Sequence, residues 1–389
     1  MCFDFDNITE RKNTDSIKYD FATQRGMPEG LLPLWVADMD FVSPEPVRQA
    51  LRDRVEHGVY GYPEDSRDLQ EQIVARMAEQ FDWRIRAEDI LFLPGVIRGF
   101  NLAGHMVKAA AGAGEMILQT PVYPPIRSVP ANTGLARKEL SLTLQDNGRY
   151  VIDLDAFDRA ITGQTRMFLL CNPHNPVGRV FIREELSCMA ETCLRKGVLI
   201  CSDEIHCDLI YSGYQHIPIA SIDPEIAQQT ITLMAPSKTY NIAGLNFSFA
   251  IIQNPTLRKQ YQAAYQGLIG GPNVFGLVAA MAAYQDGHEW LGQALSYLET
   301  NRDYLVSYIQ RELPEIGIFK PEGTFLAWLD CRNLGLENPY QFFLEEAHVA
   351  LNDGLTFGED GKGFVRMNFG CSKASLEEAL TRMRIALQQ

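Results

Sequence analysis

Through the middle of the chain, short apolar runs alternate with stretches of helical period. ILFLPG (90–95), EMILQTP (115–121), RMFLLCNP (166–173), VLICSDE (198–204), TITLMAPS (230–237) and FSFAIIQN (247–254) read as strands. Pro46–His57, Leu69–Phe81, Ile97–Ala110 and Glu184–Lys196 place apolar side chains three and four residues apart and read as helices. Such alternation predicts βαβ units, hence an α/β fold whose mostly parallel sheet is flanked by helices. Polar residues follow several of the predicted strand ends, where open α/β sheets bind their ligands.

After about residue 285 the pattern changes. A long helical stretch from His288 to Leu313 is followed by the strand-like GTFLAWLD (323–330), then FVRMNFG (364–370) and a last helix, SLEEALTRMRIAL. This predicts a large domain over 46–285. A smaller α+β domain would combine residues 286–389 with the irregular, turn-rich N-terminal 1–45. Among 389 residues, 46% are hydrophobic, ordinary for a globular chain. The formal net charge of −14 comes with no Lys/Arg cluster, which argues against a nucleic-acid partner. No apolar run reaches the length of a membrane span, and the first residues lack an apolar leader core, so a cytoplasmic location is expected. The eight cysteines include no CxxC pair and show no metal-ligand spacing. Cys188, Cys193, Cys201 and Cys207 fall in predicted core elements.

Three short motifs stand in order: NPHNPVG (172–178), SDEIH (202–206) and SKTYNIAGL (237–245). In this order and spacing they resemble the fold-type I pyridoxal phosphate (PLP) enzymes of the aminotransferase class I/II superfamily. The resemblance extends over nearly the whole chain. It implies the fold above and PLP as cofactor, carried as a Schiff base on Lys238, which alternates between anchor and base. Asp203 would keep the pyridine nitrogen protonated. Asn175 would bond the phenolic O3′, and Tyr123, in TPVYPP, would stack on the ring. His206 stands where many aminotransferases carry a tyrosine, which leaves its contact with O3′ open. The phosphate would take the backbone amides of Gly95, Val96 and Ile97 at a helix start, together with the Ser237 hydroxyl.

An arginine often found eight residues after the lysine is here Asn246, so one phosphate charge partner is missing. Tyr62, or failing it Tyr60, resembles the tyrosine that reaches the neighbouring subunit's phosphate, which implies a homodimer with shared active sites. Arg366 matches the arginine that grips the substrate α-carboxylate; Ala37 and Asn175 are the further substrate-binding positions. Each residue has a plainer alternative. Lys238 could be a surface lysine, Asp203 a helix cap, Asn175 a turn former and His206 a core histidine. The tyrosines could be ordinary turn or loop aromatics, and Arg366 half of a buried ion pair.

Longer stretches, among them LPLWVADMDF (32–41), SDEIHCDLIY (202–211), FLAWLD (325–330) and GKGFVRMNFG (361–370), are similar to the MalY/PatB group of cystathionine β-lyases, or C–S lyases. The resemblance implies β-elimination from L-cystathionine or related L-cysteine S-conjugates, giving a thiol, pyruvate and ammonia. The alternatives are an aminotransferase and, from another class, a regulatory or binding protein that keeps the fold. Where relatives tend to read Pro-Gly, this chain has Asp353-Gly354, a change near the expected substrate mouth.

Overall fold

A computed structural model describes residues 3–20, 28, 30–267 and 269–389, without the side chain of Tyr265. Cys2, and much of the turn-rich stretch before Leu31, lie outside them. Seven strands form the main sheet: β1 (Ile90–Leu93), β2 (Glu115–Thr120), β3 (Ala136–Ser141), β4 (Thr165–Cys171), β5 (Leu199–Asp203), β6 (Thr230–Met234) and β7 (Ser248–Ile251). Their order is β1-β7-β6-β5-β4-β2-β3. All neighbours run parallel except β7, which is antiparallel to both β1 and β6.

The interior strands are buried on both faces. All five residues of β6 are buried, and β4 has one partly exposed position, Arg166. That is why these strands read as unbroken apolar runs rather than alternating ones. The edge strand β3 is largely exposed, and its ARKELS sequence gave no strand signal.

Helices cover the sheet. α1 (Glu45–His57) ends at Gly58 in the left-handed conformation. α2 (Arg67–Phe81) is capped by Ser66 Oγ, which accepts from the Leu69 amide at 3.3 Å, and it buries Leu69, Ile73 and Met77 on one stripe. α3 (Val96–Ala111) leaves the end of β1 through Gly95, at φ 129°. A Cβ on Gly99 would lie 2.8 Å from Leu233 Cδ2 of β6, so only glycine lets α3 seat this closely on the sheet. This contact fixes the N-terminus of α3 at the carboxyl end of the strands.

The C-terminal part has its own antiparallel sheet of β8 (Gly317–Ile318), β9 (Leu326–Asp330), β10 (Asn352–Asp353) and β11 (Phe364–Asn368), in the order β8-β9-β11-β10. The helix His288–Glu312 packs into one continuous core with it, through Leu298, Leu305 and Ile309. The N-terminal segment joins this region by a two-residue parallel pairing of Leu32–Pro33 with Val349–Ala350. No helix among the described residues is long and apolar enough to cross a membrane, and no cluster of His, Cys, Asp or Glu among them could hold a metal ion. Cys193, Cys201 and Cys207 are buried as expected, but Cys188 is exposed: it occupies the solvent side of the helix Arg183–Lys196.

Candidate functional site

A cavity of about 180 Å³ opens at the carboxyl ends of the central strands. It brings together nearly every residue singled out above. Asp203 ends β5, Asn175 and Tyr123 lie just beyond β4 and β2, and Ser237 and Lys238 lie in the single helical turn that follows β6. Val96 and Ile97 begin α3, while His206, Ala37 and Asn246 complete the wall. Arg366 lies on β11, behind Asn175: its Nη1 donates to Asn175 Oδ1 at 3.0 Å. Tyr62 is fully exposed and Tyr60 packs against Phe275, so within one chain neither reaches this cavity.

Lys238 is partly buried, and its Nζ donates to the Ala37 carbonyl at 2.6 Å. Burial, with Arg366 nearby, pushes its pKa down to about 8. Asp203 is buried and shows the opposite response: loss of solvent pushes its carboxyl up to about 7, against the pull of Lys238 and the Ile205 amide, which donates to Oδ1 at 3.2 Å. No Lys238–Asp203 ion pair forms within 4.0 Å, so a cation and an acid face one cavity without neutralising each other. His206 is also buried. Burial, Lys238 and Arg366 together lower its pKa to about 3, so the ring is neutral at physiological pH, and its Nδ1 has no partner.

Arg366 answers the question its sequence context left open. Its guanidinium is buried, yet among the described residues no carboxylate pairs with it. Its Nη2 donates to the Trp35 carbonyl at 2.9 Å and to Asn352 Oδ1 at 2.6 Å, and its Nε is unpartnered. Burial lowers its pKa to about 10. A buried guanidinium held by neutral acceptors retains its full demand for an anion.

Three asparagines complete the site. Asn352 holds Arg366. Asn241, in the left-handed region at φ 56°, accepts from the Met39 amide at 3.0 Å and donates to the Met39 and Phe41 carbonyls. Asn368 donates to the Val36 and Asp38 carbonyls at 2.5 and 2.7 Å. Together these two clamp the loop that carries Ala37 over Lys238. Asn241 lay inside the KTYNIAGL motif and Asn368 inside FVRMNFG, but motif membership gave no hint of a backbone partner some 200 or 330 residues away.

Two phosphate donors differ from expectation. The Gly95 amide donates to Ser248 Oγ at 3.0 Å, and the Ser237 hydroxyl donates to the Phe247 carbonyl at 3.2 Å. The amides of Val96 and Ile97 keep the free position of a helix first turn. Asp353 caps a turn, accepting from the Leu355 amide at 3.0 Å. Gly354 crosses the backbone of Gly361 so closely that a Cβ would fall 2.1 Å from the Gly361 carbonyl oxygen. Asp353-Gly354 therefore supplies a tight backbone crossing.

Over residues 31–383 the sequence matches the model for aminotransferase class I and II. The chain belongs to that family. Cystathionine β-lyase PatB of Bacillus subtilis strain 168 is 37% identical over 388 residues, covering 98% of this chain and 99% of that protein. OvoB superposes with a TM-score of 0.92 at 40% identity, covering 100% of each chain. Cystalysin from Treponema denticola, whose crystal structure contains pyridoxal 5′-phosphate, superposes with a TM-score of 0.94 at 31% identity, covering 100% of this chain and 99% of that one. The family therefore agrees with the reading of the motifs.

Proposed function

We propose that the chain is a PLP-dependent carbon–sulfur lyase of the cystathionine β-lyase type. It cleaves L-cystathionine or related L-cysteine S-conjugates to a thiol, pyruvate and ammonia. One observation carries this reading: a lysine of lowered pKa and an unpaired buried carboxyl line one cavity, and an unpaired buried guanidinium stands directly behind its Asn175 wall. The residues fit the cofactor. Asp203 offers an acid to a ring nitrogen, Lys238 an amine to an aldehyde, the start of α3 free amides to a phosphate, and Tyr123 a ring face. His206 Nδ1 is a buried polar atom that still needs a partner. When bound, PLP supplies an electron sink conjugated to the substrate Cα.

The side chains do the rest. Arg366 takes the α-carboxylate, with Asn175 and Ala37 beside it, and so fixes which bond at Cα faces Lys238. The Lys238 amine removes the Cα proton, its pKa lowered toward physiological pH by burial. As the Cα–H pair becomes the Cα–Cβ double bond, the Cβ–S bond breaks and sulfur leaves with its electrons. The remaining three-carbon fragment hydrolyses to pyruvate and ammonia. Asp203 stays in place as the acid opposite the ring nitrogen, and the clamped 36–41 loop keeps Ala37 over the reacting atoms.

We assign 46–285 to the cofactor-binding domain and 1–45 with 286–389 to a smaller domain that brings Arg366. Because Tyr62 is exposed here, its part in the site is in a homodimer, where it serves the partner's phosphate. A cytoplasmic enzyme suits the free thiols of the chain.

The test is pyruvate release from L-cystathionine with no keto acid present. Sustained turnover is expected. A single turnover that leaves the cofactor as its amine would instead assign a transaminase. The lysine also sets a pH dependence. Only the neutral amine attacks an aldehyde, and the folded pKa lies near 8 rather than 10.5. The rate of PLP uptake by apoenzyme should therefore climb as pH rises through about 8 and level off above it. A stopped-flow absorbance series across pH 6.5–9.5 gives the profile; a rate still climbing steeply at its upper end would contradict the lowered pKa.

A further inference from the structure

We infer that Arg98 supplies the cation of the cofactor's phosphate subsite, in place of the arginine that is absent at position 246. This rests on the PLP reading above. Arg98 lies in the first turn of α3, and among the described residues it and Lys238 are the two cationic side chains lining the cavity, His206 being neutral. Lys238 is committed to the aldehyde end, which leaves Arg98 for the phosphate end. Its Nη1 donates to the Pro94 carbonyl and lies 3.6 Å from where a Cβ on Gly95 would stand. The guanidinium is thus folded over the glycine that opens α3, beside the free amides of Val96 and Ile97.

This placement is electrostatically unfavourable without an anion. A cation in the first turn opposes the helix dipole, at a cost of about 0.3–1 kcal/mol. The first turn of α3 holds no acidic residue, and Arg98 makes no ion pair among the described residues. A phosphate between guanidinium and helix start reverses the sign, because both then attract it.

The backbone explains why the charge is not at 246. Asn246 sits at φ 52° and ends a helical turn, with its Nδ2 donating to the Gly244 carbonyl at 3.1 Å. Asparagine tolerates the left-handed region, whereas for other L residues it costs about 1–2 kcal/mol. Asn246 therefore shapes the turn, and α3 carries the charge.

The experiment titrates apoenzyme with PLP and, separately, with pyridoxal, which lacks the phosphate. Arg98→Ala is expected to weaken PLP binding by about ten-fold or more while changing pyridoxal affinity by less than about two-fold. Arg98→Lys should recover most of the loss, and the melting temperature of the apoenzyme should not fall in either variant. Equal weakening toward both ligands, or a PLP affinity in Arg98→Ala within about two-fold of wild type, would overturn the assignment. Wild-type protein that takes up neither ligand would overturn the PLP reading, and this inference with it.

Discussion

Replacing Lys238 with alanine should lower pyruvate release from L-cystathionine by at least about 10³-fold, since the proposed function gives this one side chain the roles of anchor and base. The loss should be in kcat, because the carboxylate grip proposed for Arg366 and the rest of the cavity wall are untouched. Added methylamine tests the second role: a small amine that reaches the cavity vacated by the side chain should restore part of the rate. The substituted lysine also frees the Ala37 carbonyl, but Asn241 and Asn368 continue to hold the loop at Met39, Phe41, Val36 and Asp38. The fold should persist, which circular dichroism and the melting curve can verify. Wild-type turnover by this variant would sink the assignment of the base.

Arg366→Ala should lower kcat/KM for L-cystathionine by about 10²–10⁴-fold, the effect of losing two charge-assisted hydrogen bonds. Much of the change should appear in KM, because the carboxylate is held in the ground state as well as during the reaction. Arg366→Lys should recover only a part, as a single ammonium cannot reproduce the planar fork. The contrast with a structural role is measurable. An arginine whose task was only to hold Asn175, Trp35 and Asn352 would, when removed, lower the melting temperature and leave the preference for substrates bearing a free carboxylate intact. A variant that still discriminates between cystathionine and its carboxamide as the wild type does would refute the carboxylate assignment.

The large sheet was legible because its interior strands are buried on both faces, so each appears as an apolar run ending in a polar residue. Asp203 and Asn175 could be placed at strand ends for that reason. β3 was missed because an edge strand with solvent on one face is free to use Arg, Lys and Glu. The helix Val274–Asp286 was missed for the opposite reason: it is apolar nearly all round, without a polar face to reveal its period. FSFAIIQN was recognised as a strand, but its antiparallel direction depends on how the chain crosses the sheet, and no local pattern encodes that. At the site, Lys238 and Arg366 were legible by type and position. The absence of an acidic partner for Arg366 among the described residues, which separates a ligand anchor from an ion pair, depends on every neighbour at once. The asparagine clamps depend on main-chain atoms far away in sequence. Arg98 carries no motif signal, and only the fold places it on the cavity that Asn246 also lines.

The reversed strand β7 also sets an order of events in the cell. β1 is the edge strand opposite β3, and its neighbour in the sheet is β7, which follows it by about 150 residues. The same pairing ties Ser248 to the Gly95 amide and the Leu93 carbonyl. A chain still emerging from the ribosome can therefore assemble β2, β4, β5 and β6 side by side and seat α3 on them while β1 waits without its neighbour. The Gly95 turn that opens α3, made early in synthesis, gains its Ser248 bond only from a strand made late, after Lys238 has already emerged. That end of the cavity is thus completed only when nearly two-thirds of the chain has been translated.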